Sequence, residues 1–520
     1  MSVGWVRLWP HVAGRSAVAH HRLLARCIST SSAVYRPGRS LLTLAIESSC
    51  DDTCVAILEK CPSTGAAKLR FNKKVTSDNR EFQGVHPTVA VVSHTANLAP
   101  LIDEALDHLP EAAAAEEDEE SSPQQNRWQH ACSVRGTVRR KPDFVAVTRG
   151  PGMTSNLATG LNTAKGLATA WGVPLLGVNH MQAHALTPRL VSARARWPAP
   201  DDEAASGQTK KTDDGDEPAF PYLSLLVSGG HTLLVHSRSL CDHEILASAS
   251  NIAIGDMLDK CARLILPASE LSRTSNVMYG ALLERFVFPP PSGDSSNTSS
   301  TATSRSRIDD YDYDYTPPAQ RADEIATFDS GLGWTLTPLL AGTTAMTYNF
   351  SGFSSQVQRH LEDRPDMPLD ERRLLGRHAM RLAFEHLASR LLFALKKDST
   401  NNNNNNRSSN GNDVAAAEAD TMKDVKTVVV AGGVASNRYL MHILRSLLAV
   451  RGFGHLEINA PPPALCTDNA AMIAWTGLEM FEAGYRSQLD ILALKKWPVD
   501  PKADGGGILG ASGWVKDDGM

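Results

Sequence analysis

A chain of 520 residues exceeds what one simple core organises, so two or more lobes are expected, and an apolar fraction of 42% marks most of it as globular. A formal net charge of −5 argues against a non-specific nucleic-acid binder while leaving room for a local basic groove. Eight cysteines without a C-x-x-C pair read as free thiols of a reducing or matrix compartment, and no apolar run approaches the ~18 residues of a membrane span.

Residues 1–40 carry Arg7, Arg15, Arg22, Arg26, Arg36 and Arg39, several serines and no acid; the first carboxylate is Glu47. That composition fits a mitochondrial transit peptide, with a basic disordered tail as the alternative. Next, LLTLAIESSCDDTCVAI (Leu41–Ile57) sets two β-rich runs around the polar turn ESSCDD, a hairpin pattern. A polar, acidic segment at 111–140 is poor in aliphatic residues and reads as a disordered insertion, as do 195–218, 289–318 and the Asn-rich 398–423. DFVAVTRGPG predicts a strand ending in a Gly-Pro turn, TSNLATGLNTAKGLATAWG a small-residue helix, and PLLGV a short strand leading to Asn179.

NHMQAH follows. Asn179 is a good N-cap, so His180 and His184 begin a helix and project from one face, one turn apart, as two ligands of a divalent metal would. A histidine pair alone is more often just polar residues at a helix start, so a third ligand is required. YLSLLVSGGHTLLV repeats the strand–turn–strand pattern around Ser228-Gly229-Gly230, which suggests a duplicated α/β lobe with a cleft between copies: 41–221, 222–480 and a tail 481–520. GDMLDK places Asp256 and Asp259 on one helix face, either solvated or gripping a ribose hydroxyl. DERRLLGRHAMRLAFEHLASRLLFALKK is a long helix with Asp370 expected as its N-cap, and VKTVVVAGGVASNRYLMHILRSLL is a strand, a Gly pair and an amphipathic helix. In ALCTDNAAMIAWTG, Asp468 before a helix is either an ordinary cap or the third ligand; His2Asp with open positions suits zinc or iron. Glycine pairs at the strand ends SGGHT and AGGVASN, with ESSCDD and TRGPGM, could line one nucleotide cleft.

LAIESSCDDTCVAI, FQGVHPTVAVVSH, TRGPGMTSNLATGLNTAKGLA, GVNHMQAHAL, LSLLVSGGHTLLV, GDMLDKCARLI, NFSGF, VVAGGVASNRYL and CTDNAAMIAWTG, in this order from about Leu41 to Trp497, resemble the TsaD/Kae/Qri family of tRNA N6-adenosine threonylcarbamoyltransferases. The resemblance implies an α/β actin/Hsp70/sugar-kinase-like fold, two duplicated lobes around a nucleotide cleft. It assigns His180, His184 and Asp468 as ligands of one divalent ion per subunit, zinc or iron. Leu226, Val227, Ser228, Gly229, Gly230, Asp259, Gly280 and Asn437 match positions that bind threonylcarbamoyl-adenylate, although VMYGALLE keeps only one glycine of the usual Pro-Gly-Gly-Pro run. Pro87–Val92 and Asn251–Asp256 also depart from the family pattern, and with the leader they read as an organellar branch.

The reaction implied is acyl transfer from threonylcarbamoyl-AMP, made by a separate synthase, to N6 of adenosine 37 in ANN-decoding tRNA of the mitochondrial matrix. The enzyme is expected to be a homodimer without a membrane span. Asp51 or Asp52 would assist proton transfer, and Lys73, Lys74, Arg189 and the arginines between Arg372 and Arg390 are candidate phosphate contacts. Two rivals are a kinase or ATPase of the same fold and a zinc peptidase; NHMQAH lacks the Glu that the latter needs. A non-catalytic scaffold, with metal and nucleotide only structural, is the third.

Overall fold

Seven strands form the first sheet. Leu41–Glu47 (β1) and Asp52–Lys60 (β2) are buried along their whole length, because helices cover both faces. Ala67–Thr76 (β3) pairs with β2 and forms the edge. A small separate hairpin, Ala131–Val134 (β4) and Thr137–Arg140 (β5), follows. Phe144–Gly150 (β6) and Leu175–Asn179 (β7) run parallel to β1. Helices Pro87–Leu106 (α1) and Thr154–Trp171 (α2) pack against each other and against the sheet, and His180–Ala195 (α3) follows β7. The computed structural model describes residues 39–82, 84–112, 130–197, 217–272, 279–289, 313–401 and 422–517, all within a unit spanning Gly38–Met520.

The second sheet begins with Tyr222–Val227 (β8), Thr232–Ser239 (β9) and Asp242–Ala249 (β10), an antiparallel meander. Phe328–Asp329 (β11) and Thr335–Leu336 (β12) pair by themselves, while Thr347–Tyr348 (β13) joins β10. Thr427–Ala431 (β14) and Glu457–Asn459 (β15) are parallel to β8. Its helices are Ile254–Ile265 (α4), Tyr279–Val287 (α5), Phe353–Asp363 (α6), Leu369–Asn401 (α7) and Arg438–Leu448 (α8). They bury one continuous core that includes Met257, Phe350, Phe384 and Leu444.

The chain then returns. Helix Ala470–Glu482 (α9) packs on β1, β2 and β6, with Phe481 stacked on Phe144 at 4.3 Å between ring centroids. Tyr485–Ser487 (β16) and Trp514–Lys516 (β17) extend the first sheet beyond β7. The fold is therefore α/β with two mixed sheets, ordered β17-β16-β7-β6-β1-β2-β3 and β13-β10-β9-β8-β14-β15. This corrects the expected division at residue 480: from α9 onward the described chain belongs to the first layer, and residues 485–516 supply two strands of its sheet edge rather than a tail.

The expected leader lies outside the described residues except for 39–40, as does most of each expected insertion. At their margins the structure is more ordered than composition suggests. Residues 131–140 form the β4–β5 hairpin, Tyr313 is buried against Phe288 and Tyr439, and α7 runs on to Asn401. Asp370 lies inside the first turn of α7, where Arg373 donates to it at 2.8 Å, rather than capping it. Among the described residues no helix is long and apolar enough to cross a membrane.

Candidate functional site

The strand β7 ends at Asn179, whose Oδ1 accepts the N–H groups of Met181 (3.0 Å) and Gln182 (3.2 Å) and so starts α3 at His180. One turn on, His184 comes edge-to-face with His180, their Nε2 atoms 3.2 Å apart. Sequence reasoning leaves Asp468 open between cap and ligand, and the local geometry separates the two roles. Asn469 caps α9, accepting from the Met472 N–H at 3.0 Å. Asp468 is thereby released toward the histidines, with Oδ1 3.1 Å from His184 Nε2 and 3.5 Å from His180 Nε2. The three ligand atoms lie within 4.8 Å of one another.

Behind His180 stands a residue that sequence reasoning missed. Glu47, at the end of β1 and fully buried, has Oε2 3.1 Å from His180 Nδ1; it also accepts the Ser49 N–H at 2.6 Å and the Thr148 hydroxyl. Because a carboxylate only accepts, it holds the Nδ1 proton in place and leaves Nε2 facing His184 and Asp468. The sign in the sequence is slight: a lone acid closing an otherwise apolar strand. Burial pushes the Glu47 carboxyl up, but the charge and hydrogen bond of His180 outweigh it and hold the carboxyl below its usual range. Burial likewise opposes ionisation of Asp468, and His180 and His184 override it and hold it well below. Two imidazole nitrogens and one carboxylate oxygen converging, with a second carboxylate orienting one imidazole, are a donor set that fits a divalent ion of the zinc or iron kind.

The Ser48–Asp52 turn is built into this centre. A Cβ on Gly152 would lie 2.7 Å from the Ser49 carbonyl oxygen, and one on Gly160 would lie 2.3 Å from Ser48 Oγ, so the Gly150–Gly152 turn and α2 approach as only glycine permits. His94, buried in α1, braces the turn through Thr53 Oγ1 (2.8 Å) and the Cys50 carbonyl (3.0 Å). The two aspartates differ. Asp52 accepts from Lys74 Nζ at 2.9 Å and from the Thr76 hydroxyl, and Lys74 also reaches Thr467 Oγ1 at 3.1 Å, beside Asp468. Asp51 has its carboxyl raised by burial and by the negative charges of Asp52 and Asp468.

On the second sheet, Leu226 and Val227 are buried at the end of β8, where Ser228 Oγ accepts the N–H of Gly230 (3.3 Å) and of His231 (3.0 Å). Gly432, at φ +98°, brings the β14 turn against this one: a Cβ there would lie 2.4 Å from the Val227 oxygen. A Cβ on Gly255 would lie 2.7 Å from the Ser228 oxygen, so the start of α4 abuts the same turn, whereas Gly229 and Gly230 face open space. Farther along α4, Asp259 accepts the Gly280 N–H at 2.7 Å, and burial raises its carboxyl to about 6. Asn437 uses Oδ1 to cap α8, accepting from Leu440 N at 3.0 Å. His231 was also missed; burial, with the charges of His180 and His184, lowers its imidazole to about 4, so it lies within electrostatic reach of the metal centre.

The expected phosphate contacts fare differently. Arg189 is buried, pairing with Glu479 at 2.8 Å and donating to the Pro218 carbonyl. Lys73 pairs with Glu104 and Lys74 with Asp52. In α7, Arg372 and Arg373 donate to the Ile265 and Phe286 carbonyls, and Arg390 is fully buried. These cations tie helices and strands together; the α7 charge run is structural.

A family model described as TsaD, tRNA N6-adenosine threonylcarbamoyltransferase, matches residues 129–200 and 204–475. The mitochondrial tRNA N6-adenosine threonylcarbamoyltransferase of Schizosaccharomyces pombe is 32% identical over 486 residues, covering 92% of this chain and 90% of its own. The tRNA N6-adenosine threonylcarbamoyltransferase of Rhizobium leguminosarum bv. trifolii is 28% identical, covering 89% and 96%. Among solved structures, full-length HypF in its phosphate- and nucleotide-bound form aligns with a TM-score of 0.39 and 11% identity over 88% of this chain and 48% of that one. The chain belongs to the TsaD family, the tRNA N6-adenosine threonylcarbamoyltransferases.

Proposed function

We propose that this chain transfers the threonylcarbamoyl group of threonylcarbamoyl-AMP to N6 of adenosine 37 in mitochondrial tRNAs that read ANN codons. The observation that carries the reading is the match to a transferase of this name over 92% of the chain, joined to a His180–His184–Asp468 centre beside glycine turns with open space before them. The common strand order β3-β2-β1-β6-β7 and β10-β9-β8-β14-β15 supports two duplicated lobes of the actin/Hsp70/sugar-kinase kind. The mitochondrial relative and the Arg-rich leader support action in the mitochondrial matrix. Exposed Phe82, Val85 and Val92 at the start of α1 support a homodimer. The threonylcarbamoyl-AMP comes from a separate synthase.

The N6 lone pair attacks the carbamoyl carbon; the new N–C bond forms as the bond from carbon to the phosphate oxygen breaks, AMP leaves, and one N6 proton must be accepted. An exocyclic adenine amine is a weak nucleophile, so positioning and charge stabilisation carry most of the catalysis. Gly229 leaves its backbone N–H, and both Gly229 and Gly230 leave space, for the adenylate, with Leu226, Val227 and Ser228 fixing their turn, and Asp259, Gly280 and Asn437 lining its far side. Asp51 takes the proton. Asp52 is committed to Lys74 and Thr76, whereas burial beside two carboxylates makes Asp51 the stronger base. His180, His184 and Asp468 would hold a zinc or iron ion, and an ion bound there supplies positive charge to polarise a substrate oxygen.

A peptidase reading is disfavoured because Glu47 sits on the Nδ1 side of His180, away from the ligand face where a general base would act. The test is single turnover: purified threonylcarbamoyl-AMP with unmodified tRNA should release one AMP for each adenosine modified. AMP release that is indifferent to tRNA, without modified adenosine, would refute the reading.

A further inference from the structure

Acyl transfer to a base of a folded RNA requires the RNA backbone to pass close to the site, and phosphates held there need cations. In the first layer several cations already have acidic partners: Lys60 pairs with Glu482, Lys73 with Glu104, Lys74 with Asp52 and Arg140 with Asp143. Arg149 turns inward, donating to the Leu492 and Ser512 carbonyls at 3.0 and 2.8 Å. Lys495 and Lys496 differ. Both are exposed, and neither side chain makes a hydrogen bond or ion pair among the described residues.

The loop that carries them is held from beneath. Ile491 is buried and its carbonyl accepts from Lys165 Nζ at 2.6 Å; Leu494 N donates to the Arg149 carbonyl at 2.8 Å. Two further bonds reach the site itself. Asn179, which starts the histidine helix, donates from Nδ2 to the Trp497 carbonyl at 3.0 Å, and Gly152 N donates to the Lys495 carbonyl at 3.3 Å. A Cβ on Gly150 would lie 2.1 Å from the Leu494 oxygen, and one on Gly152 would lie 2.7 Å from the Ser49 oxygen. The lysine loop, the Gly150–Gly152 turn and the Ser49–Asp52 turn are therefore stacked in that order, with Asp51 in the last.

We propose that Lys495 and Lys496 form a docking point for the phosphate backbone of the RNA substrate, on the first-layer wall of the site. The proposal rests on the transferase reading and names where its substrate is gripped. Lysine suits such a role, because a mobile point charge holds a phosphate without selecting a base, while base choice is left to the cleft.

The test compares full-length wild type with Lys495→Glu/Lys496→Glu and Lys495→Arg/Lys496→Arg in steady-state transfer to unmodified tRNA at several salt concentrations. Lys426→Glu, an exposed cation preceding β14 in the second layer, is the control for bulk charge. Each phosphate contact changes affinity roughly threefold over a fourfold change of salt, so losing two should raise KM for tRNA at the lowest salt, by an excess over wild type that shrinks about tenfold across a fourfold rise in salt. The expected result is that rise with kcat within about twofold and unchanged thermal unfolding. The slope of log kcat/KM against log salt should become shallower by about 1.4, from about 0.7 per single-strand phosphate. The arginine pair should behave as wild type, and Lys426→Glu should change nothing. An unchanged KM and slope in the glutamate pair would overturn the proposal, and would leave an acidic protein as the better occupant. A fall in kcat alone, or an equal effect of Lys426→Glu, would overturn it too. Wild type that modifies no tRNA would instead overturn the transferase reading and this proposal with it.

Discussion

Replacing Glu47 by glutamine tests whether the carboxylate behind His180 tunes the metal centre. Glutamine keeps the size and one acceptor, but it brings an N–H donor to a pocket where the Ser49 N–H, the Thr148 hydroxyl and His180 Nδ1–H already donate. His180 relieves that conflict by moving its proton to Nε2, the nitrogen that faces His184 and Asp468, or by turning Nδ1–H to the weaker Ser49 Oγ at 3.3 Å, and either change loosens the ligand. Loss of such an outer carboxylate typically weakens metal binding 10- to 100-fold, or about 1.4 to 2.8 kcal/mol. Chelator-competition titration of zinc into metal-free wild type and Glu47→Gln should show this drop, with far-UV circular dichroism unchanged. An affinity within twofold of wild type would refute the assignment and make Glu47 a purely structural acceptor.

Asn179→Ala removes the cap of α3 and the bond to Trp497, and should lower stability by about 1 to 2 kcal/mol in denaturant titration while reducing metal content. Gly432→Ala forces a left-handed backbone and a contact with the Val227 oxygen; unfolding should show a loss of at least about 1 kcal/mol, and an unchanged midpoint would contradict the close approach of the two turns. Glu385, in the second core, has its carboxyl raised by burial to about 7. Since its folded value lies above its unfolded one, its contribution is present below about pH 4.5 and is lost as pH rises through about 7. Glu385→Gln should therefore gain up to about 3 kcal/mol over wild type at pH 8 but little at pH 4.5, read from paired thermal unfolding curves.

Much of the site was legible because its signals are local. Asn179 before His180 and His184 fixes a helix start and a shared face within six residues, and the strand–turn–strand runs at Glu47 and Ser228 carry their own alternation and glycines. What could not be read depends on strand order. Glu47 meets His180 because β1 and β7 flank β6 in parallel, so their ends emerge at one edge; nothing in the spacing of 133 residues says so. The three-residue strands β16 and β17 carry too little pattern to announce their return to the first sheet, which hid Lys495 and Lys496 in an apparent tail. The α7 arginines looked like a charged surface because sequence does not show that carbonyls and aromatic rings lie beneath them.

The central claim is that a metal centre of His180, His184 and Asp468 serves threonylcarbamoyl transfer to tRNA. The most direct measurement incubates metal-loaded wild type and His184→Ala with unmodified tRNA, threonine, bicarbonate, ATP and a separate threonylcarbamoyl-AMP synthase. The tRNA is then digested and its nucleosides are analysed by mass spectrometry. Threonylcarbamoyl-adenosine from wild type alone, with the variant folded but metal-free, is the predicted result. Equal product from both proteins, or none from folded, metal-loaded wild type beside an active synthase, would contradict the account.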